Sequence, residues 1–222
     1  MTLEGVANKT LLLLAICVAS SFLSWQAFTV DPFLGSALMF LGLFGSIGAA
    51  IFLRFTDINN AIWVGPIYAA LEGMLLGPLS AIFESYYPGV AITAIGLSFG
   101  IMLMMIIIYR ARLIKPTENF QIGVSAAIGA IFMIYMVSFF LALLTPYNIP
   151  LIHGNGIIGI GFSLFVVGIG AMTFVMDFDF IEHGVESGAP RQYEWYAAFS
   201  LMVTLIWLYI ELLRLLAKIR SR

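Results

Sequence analysis

The chain has 222 residues, 62 % hydrophobic and 10 % charged, with a net charge of −2 and a mean hydropathy of +1.04. Soluble domains are about 45–50 % apolar and about 25 % charged, so this balance excludes a water-soluble fold, and it offers no basic surface for nucleic acid. Cys17 is the lone cysteine, which excludes an intrachain disulfide and a thiolate–metal framework.

A membrane-crossing helix needs about 20 apolar residues. Cutting the chain at its polar and proline-bearing breaks predicts seven such runs: Thr10–Phe28, Phe33–Leu53, Ala61–Phe83, Val90–Tyr109, Phe120–Leu144, Ile157–Met176 and Trp195–Leu216. The first run lacks a small-residue cleavage site and reads as a membrane helix rather than a leader. Turn chemistry separates the runs at Asp31-Pro32, Asp57 to Asn60, Pro88-Gly89, Lys115-Pro116, and from Pro146 to Gly156. Trp25, Tyr86, Tyr87, Tyr109, Tyr147 and Trp195 lie at run ends, where amphipathic rings favour the interface. No stretch alternates as a β-barrel strand would. The expectation is one all-α transmembrane domain over residues 1–222.

Lys9 precedes the first run, Arg54 follows the second, Arg110, Arg112 and Lys115 follow the fourth, and Arg191 follows the sixth. By the positive-inside rule the N-terminus and these loops are cytoplasmic. Arg214, Lys218, Arg220 and Arg222 go against the rule, because seven crossings would place them on the opposite side. Small residues offer close helix packing on the second run (Gly42, Gly45, Ser46, Gly48), the fifth (Gly123, Ser125, Gly129) and the sixth (Gly159, Ser163, Gly168, Gly170).

Glu72 stands eleven residues from each end of the third run, near the membrane midplane. A charge there costs at least about 2.5–3.5 kcal/mol unless it is neutralised, paired or watered, which makes Glu72 a candidate proton-sensing or gating group. Pro66 and Pro78 on the same run each remove a backbone donor and favour kinks.

The second candidate is FVMDFDFIEHGVES, Phe174 to Ser187. Asp177, Asp179, Glu182, Glu186 and Glu194 place five of the chain's twelve carboxylates within eighteen residues. If the sixth helix continues to His183, Asp179, Glu182 and His183 share a face, while Asp177 points nearly opposite; Gly184 argues against a helix that reaches Glu186. Crowded like charges favour proton uptake, and carboxylate oxygens suit hard cations such as Ca²⁺. Asp177 follows the apolar run directly and is the gating and cation-binding candidate. Asp179, Glu182 and Glu186 form a candidate cytoplasmic collar that concentrates cations. Glu211 and Arg214, three apart, predict a local ion pair. His153 and His183 lack a partner for a transition-metal site, Ser163 lacks a nearby base, and no phosphate-cradling glycine loop is present, so the expectation is a protein without enzymatic activity or cofactor.

FVMDFDFIEHG, a short polar loop and then EWYAAFSLMVTLIWLYIELLRLLAK resemble the Bax inhibitor-1 family (transmembrane Bax inhibitor motif proteins), in particular a bacterial branch; GVANKT near the N-terminus is a weaker echo. The resemblance implies a seven-helix bundle with the last helix central, and a pH-sensitive Ca²⁺ leak in which two aspartates on helices six and seven share a proton and gate the path. The first matches Asp177. The position of the second falls at or near Thr204, so the pair is incomplete, and Glu72 becomes the candidate substitute partner for Asp177. Arg54 is a candidate electrostatic latch for the acids. The resulting expectation is a proton-gated Ca²⁺ leak in a bacterial inner membrane. The alternative is a non-transporting regulator of other membrane proteins, such as a quality-control protease.

Overall fold

A computed structural model describes residues 1–144, 154 and 156–221. Pro146, Tyr147, His153 and Arg222 lie outside the described residues. Seven long α-helices and no strand occur among those described: α1 Leu3–Val30, α2 Pro32–Phe55, α3 Ala61–Tyr86, α4 Val90–Arg110, α5 Glu118–Leu144, α6 Ile157–Glu186 and α7 Gln192–Arg220, with a single 3₁₀ turn at Ile58–Asn60. All seven are long and apolar enough to cross a membrane, so the protein is an all-α, multi-pass integral membrane protein. Every apolar run expected from the sequence is contained in one of these helices.

Local capping chemistry explains why most helices outrun their apolar cores. Thr2 caps α1, its Oγ1 accepting from Gly5 N at 3.0 Å, so α1 starts well before Thr10. Asp31 caps α2, accepting from Phe33 N at 2.9 Å and Leu34 N at 3.3 Å, with Pro32 at the first helical position where its missing N–H is harmless. Glu84 reaches past the end of α3 to accept from Gly89 N and Ala91 N, tying the start of α4 to α3.

The expected break at Gly184 does not occur: α6 runs through it to Glu186. The stop lies four residues later. Gly188 adopts φ +65°, Gly188 N donates to Val185 O at 3.1 Å, and Ala189 N donates to Gly184 O at 2.9 Å. This is the paired bonding of a Schellman cap, and Gly188 is the left-handed residue it requires. Gly184 has ordinary helical surroundings, and its missing side chain makes room for Met1.

The chain forms two compact units, Met1–Ala91 with Asp179–Ile206, and Ile92–Phe178 with Trp207–Arg222. In the first, α3 packs against both α1 and α2. It remains helical through Pro66 and Pro78. Gly73 and Gly77 lie against the α1 backbone at Cys17, Ser21 and Trp25, and Gly42 of α2 lies against Leu71 O and Leu75 N. Ser20 Oγ donates to Ala70 O at 2.6 Å, and Ser24 Oγ to Gly73 O at 3.0 Å. Small residues thus bring the backbones close enough for serines on α1 to bond carbonyls of α3. α7 has the largest share of buried residues of the seven spans.

Gly77→Val should therefore drive a methyl into the α1 backbone and lower stability by about 3 kcal/mol, the upper end for overpacking. Gly48→Ala, with nothing within 4 Å of the added carbon, should stay within about 0.5 kcal/mol of wild type. Thermal unfolding in detergent compares the two.

Candidate functional site

Glu72 lies on the buried face of α3, 7 % exposed. The Tyr68 and Ser46 hydroxyls face its carboxyl, and Cys17 of α1 is close enough to act on it electrostatically. Its Oε2 is buried and accepts no hydrogen bond. Tyr68 is itself covered by Phe199 of α7, ring centroids 4.7 Å apart. The site is therefore a carboxyl among two hydroxyls and a thiol, in the tightly packed first unit.

Asp177, also 7 % exposed, lies on α6 nine residues before its last residue, in the second unit. In that unit Phe174 stacks on Phe178, and Tyr109 of α4 meets Phe178 at 5.8 Å, so the helix approaches Asp177 through aromatic packing. Thr204, 4 % exposed, belongs to the first unit, as does Glu72. Arg54 is exposed in the last turn of α2 and makes no ion pair among the described residues.

Asp179, Glu182 and Glu186 all lie on α6 rather than in a loop. Asp179 is partly buried and faces His183, whose Nδ1 is 3.2 Å from its Oδ1 and 2.9 Å from its backbone carbonyl; Glu186 is exposed. Among the described residues no three His, Cys, Asp or Glu side chains converge to hold a metal ion.

Two further carboxylates are buried and engaged. Glu194, 3 % exposed at the start of α7, accepts from Lys9 Nζ through Oε2 and from Thr2 N at 2.9 Å through Oε1. Thr2 Oγ1 adds a contact at 3.2 Å, and Lys9 also sits 5.5 Å from the Trp195 ring. Gly5 leaves the space that the carboxyl fills. This clasp ties the N-terminal turn of α1 to that of α7. In the sequence Lys9 stands out only as a topological charge; the pairing spans 185 residues, beyond any local spacing rule.

Glu211, 2 % exposed, makes the expected ion pair with Arg214 at 3.0 Å. It also accepts from the Tyr135 hydroxyl of α5 at 2.9 Å to each oxygen, while Arg214 lies over the Tyr135 ring at 5.0 Å. Lys218 Nζ donates to Ser163 Oγ at 2.7 Å and Gly159 O at 3.1 Å. Arg214 and Lys218, two of the cations that went against the charge rule, are thus engaged within the second unit rather than forming a free basic flank.

With the acidic end of α6 and the helix that follows it in view, the comparisons bear on lineage. A family model described as Bax inhibitor 1 like matches residues 1–221. The chain belongs to the Bax inhibitor 1 like family. Among curated proteins no match is found. Family membership covers the whole seven-helix layout, including GVANKT, whose Lys9 makes the clasp to Glu194.

Lys9→Met should destabilise the protein by about 1.5 kcal/mol, the lower end for a hydrogen bond to a charged group, since Lys9 is partly exposed and the Glu194 carboxyl lies covered at a helix start. Lys9→Met/Glu194→Gln should recover part of that loss. A double-mutant cycle on unfolding in detergent measures the coupling.

Proposed function

We propose that the protein is a passive, proton-gated cation pathway of a bacterial inner membrane, with Ca²⁺ as the permeant ion. The observation that carries the reading is Glu72, a carboxyl buried in a membrane-spanning helix with one oxygen that no donor reaches. Ionisable groups at such depth are costly and mark ion or proton routes. Membership of the Bax inhibitor 1 like family supports the same reading, and so does Asp177, a second buried carboxyl on a helix long and apolar enough to cross a membrane.

In this mechanism, protons taken up by Asp177 and Glu72 discharge the path and hold the helices together. At higher pH the carboxylates ionise, draw in water and cations, and open it. Glu72 takes the part of the second family aspartate, whose position Thr204 fills. The α6 acids Asp179, Glu182 and Glu186 raise the local cation concentration at the cytoplasmic mouth, and Arg54 acts as an electrostatic latch upon them. Asp177 is the Ca²⁺ ligand within the path. The reading requires no cofactor, no catalysis and no nucleic acid; the lipid bilayer, Ca²⁺ and protons are the partners.

One finding favours a rival reading, a non-transporting regulator that binds other membrane proteins such as a quality-control protease. No three His, Cys, Asp or Glu side chains converge among the described residues, so none there forms a carboxylate-rich Ca²⁺ site.

Purified protein in liposomes loaded with a Ca²⁺-sensitive dye separates the two. Wild-type flux should rise with pH. Glu72→Gln and Asp177→Asn, fixed in the uncharged form, should keep flux near its low-pH level throughout. Flux no greater than in empty liposomes at every pH would sink the pathway and favour the regulator. Flux that demands a proton gradient would indicate an ion-coupled transporter instead.

A further inference from the structure

We propose that Glu72 is a self-contained proton site, holding its own proton between α2 and α3 without Asp177. The assignment builds on the reading above only in taking Glu72 as a functional proton group, and it replaces a proton shared with Asp177 by one held locally. Three observations carry it.

The first is the orphaned oxygen. Oε2 is buried without a donor. An ionised carboxylate would leave charge on an oxygen that neither water nor protein solvates, whereas a neutral acid leaves only an uncharged polar atom.

The second is the thin donor supply from α2. The Ser46 hydroxyl faces the carboxyl, but its one proton is also drawn to Leu43 O, 3.2 Å away within α2. Ser46 therefore offers Glu72 at most a shared hydrogen bond and no charge.

The third is the company. The groups acting on the carboxyl are Tyr68 on α3, Ser46 on α2 and Cys17 on α1, none of them a cation. From α7, Phe199 covers the Tyr68 ring. Gly42 and Gly73, each against a neighbouring backbone, leave little room for the hydration shell of a metal cation. The ligand class that fits is a bare proton, with the Tyr68 and Ser46 hydroxyls beside the carboxyl. Loss of that proton would leave a charge faced only by neutral hydroxyls and a thiol.

A hydrophobic carbodiimide reacts with protonated carboxyls in apolar surroundings, which gives a readout independent of flux. Full-length protein in liposomes, treated with dicyclohexylcarbodiimide and mapped by peptide mass spectrometry, should carry the adduct on Glu72, increasing as pH falls. Glu72→Gln should lose it, and Asp177→Asn should keep it at the wild-type level and pH profile. Absence of adduct at every pH, or an adduct profile displaced by Asp177→Asn, would overturn the assignment. Suppression by Na⁺ at fixed pH would overturn it in favour of a metal-cation site. Ca²⁺ flux can fail while the adduct forms, and the reverse, so the two readings fail separately.

Discussion

The tight fit of α3 between α1 and α2 is the constraint on which the Glu72 site depends. Glycines at Gly42, Gly73 and Gly77 let backbones come together where any side chain would separate them. At that distance Ser20 and Ser24 can reach carbonyls on α3, bonds that hold in a medium without water to compete for them. The same closeness leaves the Glu72 carboxyl with only hydroxyls and a thiol for company. Loosened packing would admit water and remove the reason for an unusual proton there.

The carboxylates of this chain divide by what their surroundings do with charge. Glu194 and Glu211 are covered but engaged, one by Lys9 and Thr2, the other by Tyr135 and Arg214. Their cost of burial is offset by charge-assisted bonds, and each ties a terminal segment of α7 to another helix. Glu72 has no such partner for Oε2. Buried polar groups are nearly always satisfied, so the exception is where function is sought. Sequence position alone does not separate them by satisfaction: Glu72 interrupts an apolar run, Glu194 precedes one, and Glu211 sits near the end of one.

The seven spans were legible from hydropathy because a bilayer demands about 20 apolar residues per crossing whatever the neighbours. Helix ends were less legible. Gly184 looked like a stop because glycine often ends helices, yet a glycine ends one only where the backbone turns left-handed, and that happens at Gly188. The Glu211–Arg214 pair followed from local spacing. The Lys9–Glu194 clasp and the Tyr135–Glu211 bond did not, since contacts between distant helices leave no periodic trace in one sequence. Of the tail cations that opposed the charge rule, Arg214 had its expected partner in Glu211, whereas the Lys218 bonds to Ser163 and Gly159 span helices and were not legible.

By itself the sequence determined the class, the number of crossings and the family, because composition, run length and the acidic ending of α6 are properties of the chain alone. It also marked Glu72 and Asp177 as acids in costly places. Tertiary structure decided which acids are satisfied and which are not. It buried Glu72 against Ser46 and Tyr68 with an oxygen left over, spent Glu194 and Glu211 on holding α7, and placed Asp179, Glu182 and Glu186 on a continuing helix. The physical reason is that the state of a buried carboxyl depends on donors brought by other helices, and only packing brings them.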